Sequence, residues 1–348
     1  MTDYLMELRD SARQVIAGAG TPADEDTIWP LLVDLGWLLA PVPESLGGLG
    51  LGVQSALTLH AELGGGLSQA AFLPANLSLD AVCHSELPEP ESAAWVERMT
   101  TGQLSTAPLT DPVLVLESGA GTLSGFASAV QSADRAAHVL LWTSDYDCLL
   151  LVALDQPAVQ LKVRPTWDVT RRLFDLQLNK AALQEQTVLA RGPAARVAIQ
   201  RLQTLRDLAL AADSIGGAAA LLALTLEHLA TRRQFGRPLA LFQALKHRCA
   251  DLKTQLAGAE ALLQHSVAQL DDRLGDEGAL DIGRKAKYLA CATYLHVAEE
   301  ALQFHGGIGM ADEHPCHLFL KRAMLNEHLG SAQQGYEIAI ADHFLGTT

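Results

Sequence analysis

Thr231-Arg232-Arg233-Gln234-Phe235-Gly236-Arg237-Pro238 closes an apolar seam in which Leu205, Leu208, Ala212, Ile215, Ala219, Leu222, Leu226 and Leu229 recur every three or four residues. That nearly heptad spacing predicts one long helix packed in a bundle. About seventy residues on, Gln303-Phe304-His305-Gly306-Gly307-Ile308-Gly309-Met310 ends a second helical pattern that starts near Ile282. Between them a helix runs through Leu245, Cys249, Leu252, Leu256, Ala259, Leu263, Val267 and Leu270, and Gly275-Asp276-Glu277-Gly278 breaks it. A last helical stretch spans about Pro315 to Phe344. Residues 189–348 therefore read as an antiparallel helical bundle.

Upstream the texture changes. Across residues 104–188, Val139-Leu140-Leu141-Trp142 and Leu149 to Leu154 are short apolar runs that read as buried strands. Leu161-Lys162-Val163 and Phe174 to Leu178 alternate, completing a small β domain. Residues 1–103 are helical in pattern, with apolar patches at Leu31, Leu32 and Leu35 and at Leu57, Leu59 and Leu63. The glycine-rich stretch from Pro43 to Gly52 lies between these patches. No strand precedes it and no Lys-Ser/Thr follows, so it reads as a structural turn, not a phosphate cradle. The predicted class is α+β, mainly α: N-terminal helical domain, middle β domain, C-terminal helical bundle.

Composition bounds the partners. With 49% hydrophobic and 19% charged residues, the 348-residue chain reads as a well-buried globular protein. A net charge of −15 argues against nucleic acid, whose phosphates need clustered Lys and Arg. No uninterrupted apolar run reaches the roughly 18 residues that span a bilayer, and Met1 to Asp10 carries no secretory pattern. Cys83, Cys148, Cys249, Cys291 and Cys316 are dispersed without CxxC spacing, which predicts reduced thiols and a cytoplasmic location. His314 and His317 lack a third ligand, so no metal site is expected.

Each of the two glycine-containing runs, taken alone, also fits a solvated basic turn or a glycine C-cap. As a pair, at this separation and in this domain order, they resemble the two flavin-cradling signatures of the acyl-CoA dehydrogenase family. Leu35-Gly36-Trp37, Pro43 to Gly50, Glu62-Leu63-Gly64 and Asp168-Val169-Thr170-Arg171-Arg172 extend the resemblance over most of the chain. It implies FAD as cofactor and an acyl-CoA thioester as substrate: a base takes the α proton while a hydride passes to the flavin. It also implies an electron-transfer flavoprotein as acceptor. In such a member Arg232 holds the FAD pyrophosphate of a neighbouring subunit by charge-assisted bonds. Gln234 and Phe235 lie beside it, Gln303 offers its amide, and Gly306 and Gly307 let the backbone approach. Gly330-Ser331-Ala332-Gln333 resembles the Gly-Thr-Ala-Gln that follows the family's catalytic glutamate, which makes Ser331 and Gln333 cofactor-facing donors.

The chain also departs from that pattern. Leu329 stands where the glutamate is expected, His328 is no carboxylate, and Glu327 is two residues away. The family's other base position, on the long helix, falls on Arg206, which cannot accept a proton. Asp207 follows it, rotated by about 100°, and both read as solvated helix-surface charges. Leu109-Thr110-Asp111-Pro112 resembles the start of a flavin-contacting segment, but Val113-Leu114-Val115-Leu116 replaces its Gly-Ala-Gly-Ser-Asp continuation. The catalytic residue is thus unassigned. The resemblance points to the base-lacking chain of a heterotetrameric, steroid-degrading member, completed by a second family subunit. A homo-oligomer with Asp207 or Glu327 as displaced base is the alternative, as is a flavin monooxygenase, electron-transfer or scaffolding relative.

Overall fold

A computed structural model describes residues 3–117, 121–331 and 333–346; Met1 and Ala332 fall outside them. Five helices open the chain: α1 (Asp3–Ala19), α2 (Glu25–Asp34), α3 (Gly52–Gly65), α4 (Phe72–Cys83) and α5 (Glu89–Thr100). Eight strands follow: β1 (Ser105–Thr106), β2 (Val113–Glu117), β3 (Thr122–Gln131), β4 (His138–Trp142), β5 (Cys148–Ala153), β6 (Val159–Arg164), β7 (Leu173–Ala182) and β8 (Thr187–Arg191). The bundle comprises α6 (Gly192–Thr231), a short hairpin of β9 (Arg233–Gln234) and β10 (Arg237–Pro238), α7 (Gln243–Leu270), α8 (Ala279–His305), α9 (Cys316–His328) and α10 (Gln333–Leu345). This is the α+β, mainly helical class read from the sequence.

The strands form two four-stranded sheets, ordered β1-β4-β5-β8 and β2-β3-β7-β6. In the first, Val139, Leu141, Leu150 and Val152 join an inter-sheet core with Leu114, Leu123, Leu176 and Leu178. The alternate residues Leu140, Trp142, Leu149 and Leu151 belong to the helical core. Burial on both faces is why β4 and β5 are continuous apolar runs. The second sheet departs from the sequence reading. Leu161 and Val163 are exposed, because β6 is an edge strand paired only with β7. Val113 to Leu116, which stands in place of the family's Gly-Ala-Gly-Ser-Asp continuation, lies in strand β2. Strand β3 was hidden by Gly125 and by register shifts at Leu123/Gly125 and Ala127/Val130, which break the period of two.

Helix α6 is not a one-sided seam. Residues Arg201 to Ile215 are buried all round, among α3, α4, α8 and α9, whereas Ala219 and Leu226 face solvent. By length and composition α6 could cross a membrane, contrary to the sequence reading, but 72% of its apolar window is buried inside the fold. It is a core helix. The final stretch, read as one helix, is two: the chain leaves α9 at Leu329, and Gly330 at φ +79° donates its N–H to the Leu109 carbonyl at 2.6 Å.

Helix α6 also carries Asp213, the hub of a buried ion network. Arg322 of α9 donates to it from Nη2 at 2.7 Å and Nε at 3.2 Å, Arg171 approaches at 3.2 Å, and Asn326 donates at 2.7 Å. Burial opposes the charge, yet Arg322 and Arg171 hold the Asp213 carboxyl well below the carboxylate range. Neighbouring His60 packs on Phe72 at 4.8 Å with Nε2 buried and unbonded. Burial pushes this imidazole down to about 3. An unfolded histidine titrates near 6.5, so the unfolded chain binds the extra proton between these values. His60 then contributes stability that is complete above about pH 6.5 and is lost as pH falls toward about 3. Between pH 7 and 5 the loss is roughly 2 kcal/mol. Urea unfolding at both pH values checks this: His60→Phe should lose distinctly less than wild type, and equal losses would refute it.

Candidate functional site

The signature residues gather at two places. At one end of α6, His228 stacks on His305 with ring centroids 4.4 Å apart and planes at 30°, and His314 lies 4.7 Å from His305. His305 Nδ1 donates to the Ala301 carbonyl at 2.8 Å, and His314 Nδ1 accepts the Cys316 N–H at 3.2 Å. Burial lowers all three imidazoles, and nearby histidines lower them further, against the Ala301 carbonyl in the case of His305. The stack pins the end of α8 to the end of α6 and so brings the arginine run beside the glycine run.

There Arg232 is the C-cap of α6, its N–H bonded to the His228 carbonyl at 2.8 Å and its side chain exposed. Gln234 pairs with Arg237 across a two-residue turn made by Phe235 at φ +51° and Gly236 at φ +77°. Positive φ at both central residues is the twist-matched hairpin geometry. A bulky residue there is strained, by about 1–3 kcal/mol, and Phe235 is 89% exposed. Gln303, Gly306 and Gly307 are exposed beside it. Gly306 needs glycine for its φ of +62°, but a Cβ on Gly306 or Gly307 would meet nothing within 4 Å. The space over both glycines is open.

The second place lies roughly 39 Å away along α6, 26 residues at about 1.5 Å each. Here the Gly330 turn bridges to Thr110 of the β domain. Arg206 and Asp207, expected as solvated surface charges, are 4% and 1% exposed. That expectation is corrected: the Leu109–Asp111 segment and α10 cover this face of α6. Arg206 Nη1 donates to Asp111 Oδ1 at 2.7 Å, and Gln203 Nε2 donates to Asp111 Oδ2 at 3.0 Å. Tyr336 donates its hydroxyl to Asp207 Oδ1 at 2.8 Å. Gly330 fits only as glycine, since a Cβ would lie 2.3 Å from the Tyr336 hydroxyl and 3.0 Å from Asp207. Burial pushes the Asp207 carboxyl up, against the pull of Arg206 and Lys287. Lys287, itself lowered by burial, sits 4.1 Å over the Tyr336 ring.

A cavity of about 130 Å³ opens between Asp111, Arg206, Asp207, Gly330 and Tyr336. Ser331 is exposed at its edge, and Gln333, which does not line it, has a buried Oε1 without a hydrogen-bond partner. Leu329 is buried, and Glu327 does not line the cavity. Sequence reasoning missed the Asp111–Arg206 pair, Gln203 and Tyr336. The (i, i+3) spacing of Gln203 and Arg206, which places both on one helix face, was the available signal.

The chain is 30% identical over 313 residues to the acyl-CoA dehydrogenase IpdE2 of Mycolicibacterium smegmatis, covering 89% of this chain and 83% of that one. It belongs to the acyl-CoA dehydrogenase family. A family model of the acyl-CoA dehydrogenase C-terminal domain matches residues 195–336 of this acyl-CoA dehydrogenase. Identity to IpdE2 of Mycobacterium tuberculosis is 29%, over 89% of this chain and 82% of that one. Among solved structures, the ChsE4–ChsE5 complex of Mycobacterium tuberculosis superposes with a TM-score of 0.89 at 24% identity, covering 99% of this chain and 98% of that one. A variant of the Tcur3481–Tcur3483 steroid ACAD gives 0.87 at 25%, with the same coverage.

Proposed function

We propose that this acyl-CoA dehydrogenase is the base-lacking subunit of a hetero-oligomer that removes hydrogen from the α and β carbons of an acyl-CoA thioester. One observation carries the reading: both positions at which the family places its base, Leu329 and Arg206, hold residues that cannot take a proton, and Arg206 is committed to Asp111. FAD, when bound, supplies the acceptor for the hydride. Arg232 and the Gly306-Gly307 cradle hold its phosphates from across an interface, with Phe235 packing beside them. Ser331 and Gln333 serve a second cofactor, beside the Arg206–Asp207 stretch within α6. The separation of the two sets supports this, because no single cofactor reaches both and a complete site needs two chains. Neighbours that are themselves two-component assemblies, one of them a steroid ACAD, support a second family subunit and a steroid-type substrate. Family membership supports an electron-transfer flavoprotein as the oxidant.

The competing reading, a homo-oligomer with a displaced base, now favours Asp207 over Glu327, because only Asp207 lines the cavity. The deciding experiment expresses the chain alone and together with a base-bearing family subunit, and measures flavin absorbance and native mass. Flavin and activity are expected only on co-expression, with Asp207→Asn altering turnover less than tenfold. A yellow homo-oligomer that acyl-CoA bleaches, and that Asp207→Asn inactivates, would overturn the proposal.

A further inference from the structure

We infer that the crevice between α1, α3, α6 and α7 binds a neutral apolar ligand that carries one hydroxyl group. A cavity of about 270 Å³ opens there, and none of the signature residues lines it. Ala212 of its wall lies five residues past Asp207 on α6, a rotation of roughly 140° at about 100° per residue. The crevice therefore opens on a different face of α6 from the Asp207 cavity. Leu5, Leu57, Ala212, Ile215, Leu263 and Val267 form its apolar wall, and all six are buried. An apolar cavity of about 150 Å³ holds one benzene ring, so this one suits a body of about two fused rings.

One end of the cavity is polar. A second cavity of about 500 Å³ shares Arg9, Ala61, Ile215 and Glu260 with the first, so these four mark where the two spaces meet. Arg9 and Glu260 are both half-buried at that junction, and among the described residues neither pairs with the other. The carboxylate nearest Arg9 is Glu62 at 3.9 Å, which already takes two bonds from Arg13, at 2.9 and 3.2 Å. Glu260 accepts a long bond from Gln264 at 3.4 Å. Both groups thus keep hydrogen-bonding capacity for a ligand. A hydroxyl satisfies the pair, because its oxygen accepts from the guanidinium while its proton goes to the carboxylate. A ligand carboxylate would meet Glu260 and an ammonium would meet Arg9, and such like-charge contacts oppose binding. All of these groups belong to this chain and lie outside the cofactor-facing sets, so the site stands whether or not the base-lacking reading holds.

Isothermal titration of the purified full chain with 2-naphthol tests it, beside naphthalene-2-carboxylate and 2-naphthylmethylammonium as charged probes of similar size. One saturable site per chain is expected for 2-naphthol, with each ion bound roughly tenfold more weakly or worse. Thr58→Phe, at a half-buried wall position, should fill the cavity and abolish binding. Glu260→Gln should raise the affinity for the carboxylate, and Arg9→Met that for the ammonium, each to within about threefold of 2-naphthol. Melting temperatures of the free variants show that each is folded, and if Thr58→Phe is not, the two changes in ion preference decide. Uptake of 2-naphthol without saturation, equal binding in Thr58→Phe, or ion preferences unmoved by Glu260→Gln and Arg9→Met would overturn the inference.

Discussion

Arg322→Met is expected to lower the unfolding free energy by about 3–5 kcal/mol. The guanidinium makes two bonds to Asp213, at 2.7 and 3.2 Å, and also donates to the Ser68 and Thr170 carbonyls and the Thr170 hydroxyl. It therefore joins α9 to α6, to the turn before α4 and to the segment leading into β7. Methionine fills part of the volume but leaves Asp213 charged and buried, and leaves two buried carbonyls without this donor. Arg171 still approaches Asp213 at 3.2 Å, which places the loss toward the lower end of that range. Urea unfolding at pH 7 reads the effect directly. A loss below about 1 kcal/mol, the size typical of a surface ion pair, would show that the network is dispensable.

Arg232→Ala should leave this chain's own stability unchanged while lowering the flavin content of the co-expressed assembly at least tenfold. Within the chain the backbone of Arg232 does the structural work: its N–H caps α6, and its carbonyl accepts the Leu239 N–H at 2.9 Å. Alanine keeps both bonds. The exposed guanidinium makes no hydrogen bond or ion pair among the described residues, so its removal costs the monomer nothing. A charge-assisted bond to a phosphate is worth about 1.5–3 kcal/mol, which corresponds to roughly ten- to a hundredfold in binding. Flavin absorbance per mole of complex, beside the melting temperature of the isolated chain, tests both halves. Undiminished flavin would remove Arg232 from the cofactor site.

Much of this was legible along the chain. The 3.6-residue periodicity of α7 and α8, the continuous runs of β4 and β5, and the glycine breaks each arise from a local rule of burial or backbone freedom. The two signature runs could be read because each sits at the end of its own helix, where local chemistry sets the turn. Strand β3 could not be read, because its register shifts break the alternation that marks a strand.

By itself, then, the sequence determined the fold class, the family resemblance and the absence of a glutamate at Leu329. Tertiary structure alone decided that Arg206 and Asp207 are interior groups, that Asp111, Gly330 and Tyr336 close over them, and that the two sets of signature residues lie far apart along α6. The reason is distance along the chain. Asp111 and Arg206 are 95 residues apart, and Asp207 and Tyr336 are 129 apart. No periodicity reports a contact between segments that meet only when the β domain, α6 and α10 have packed.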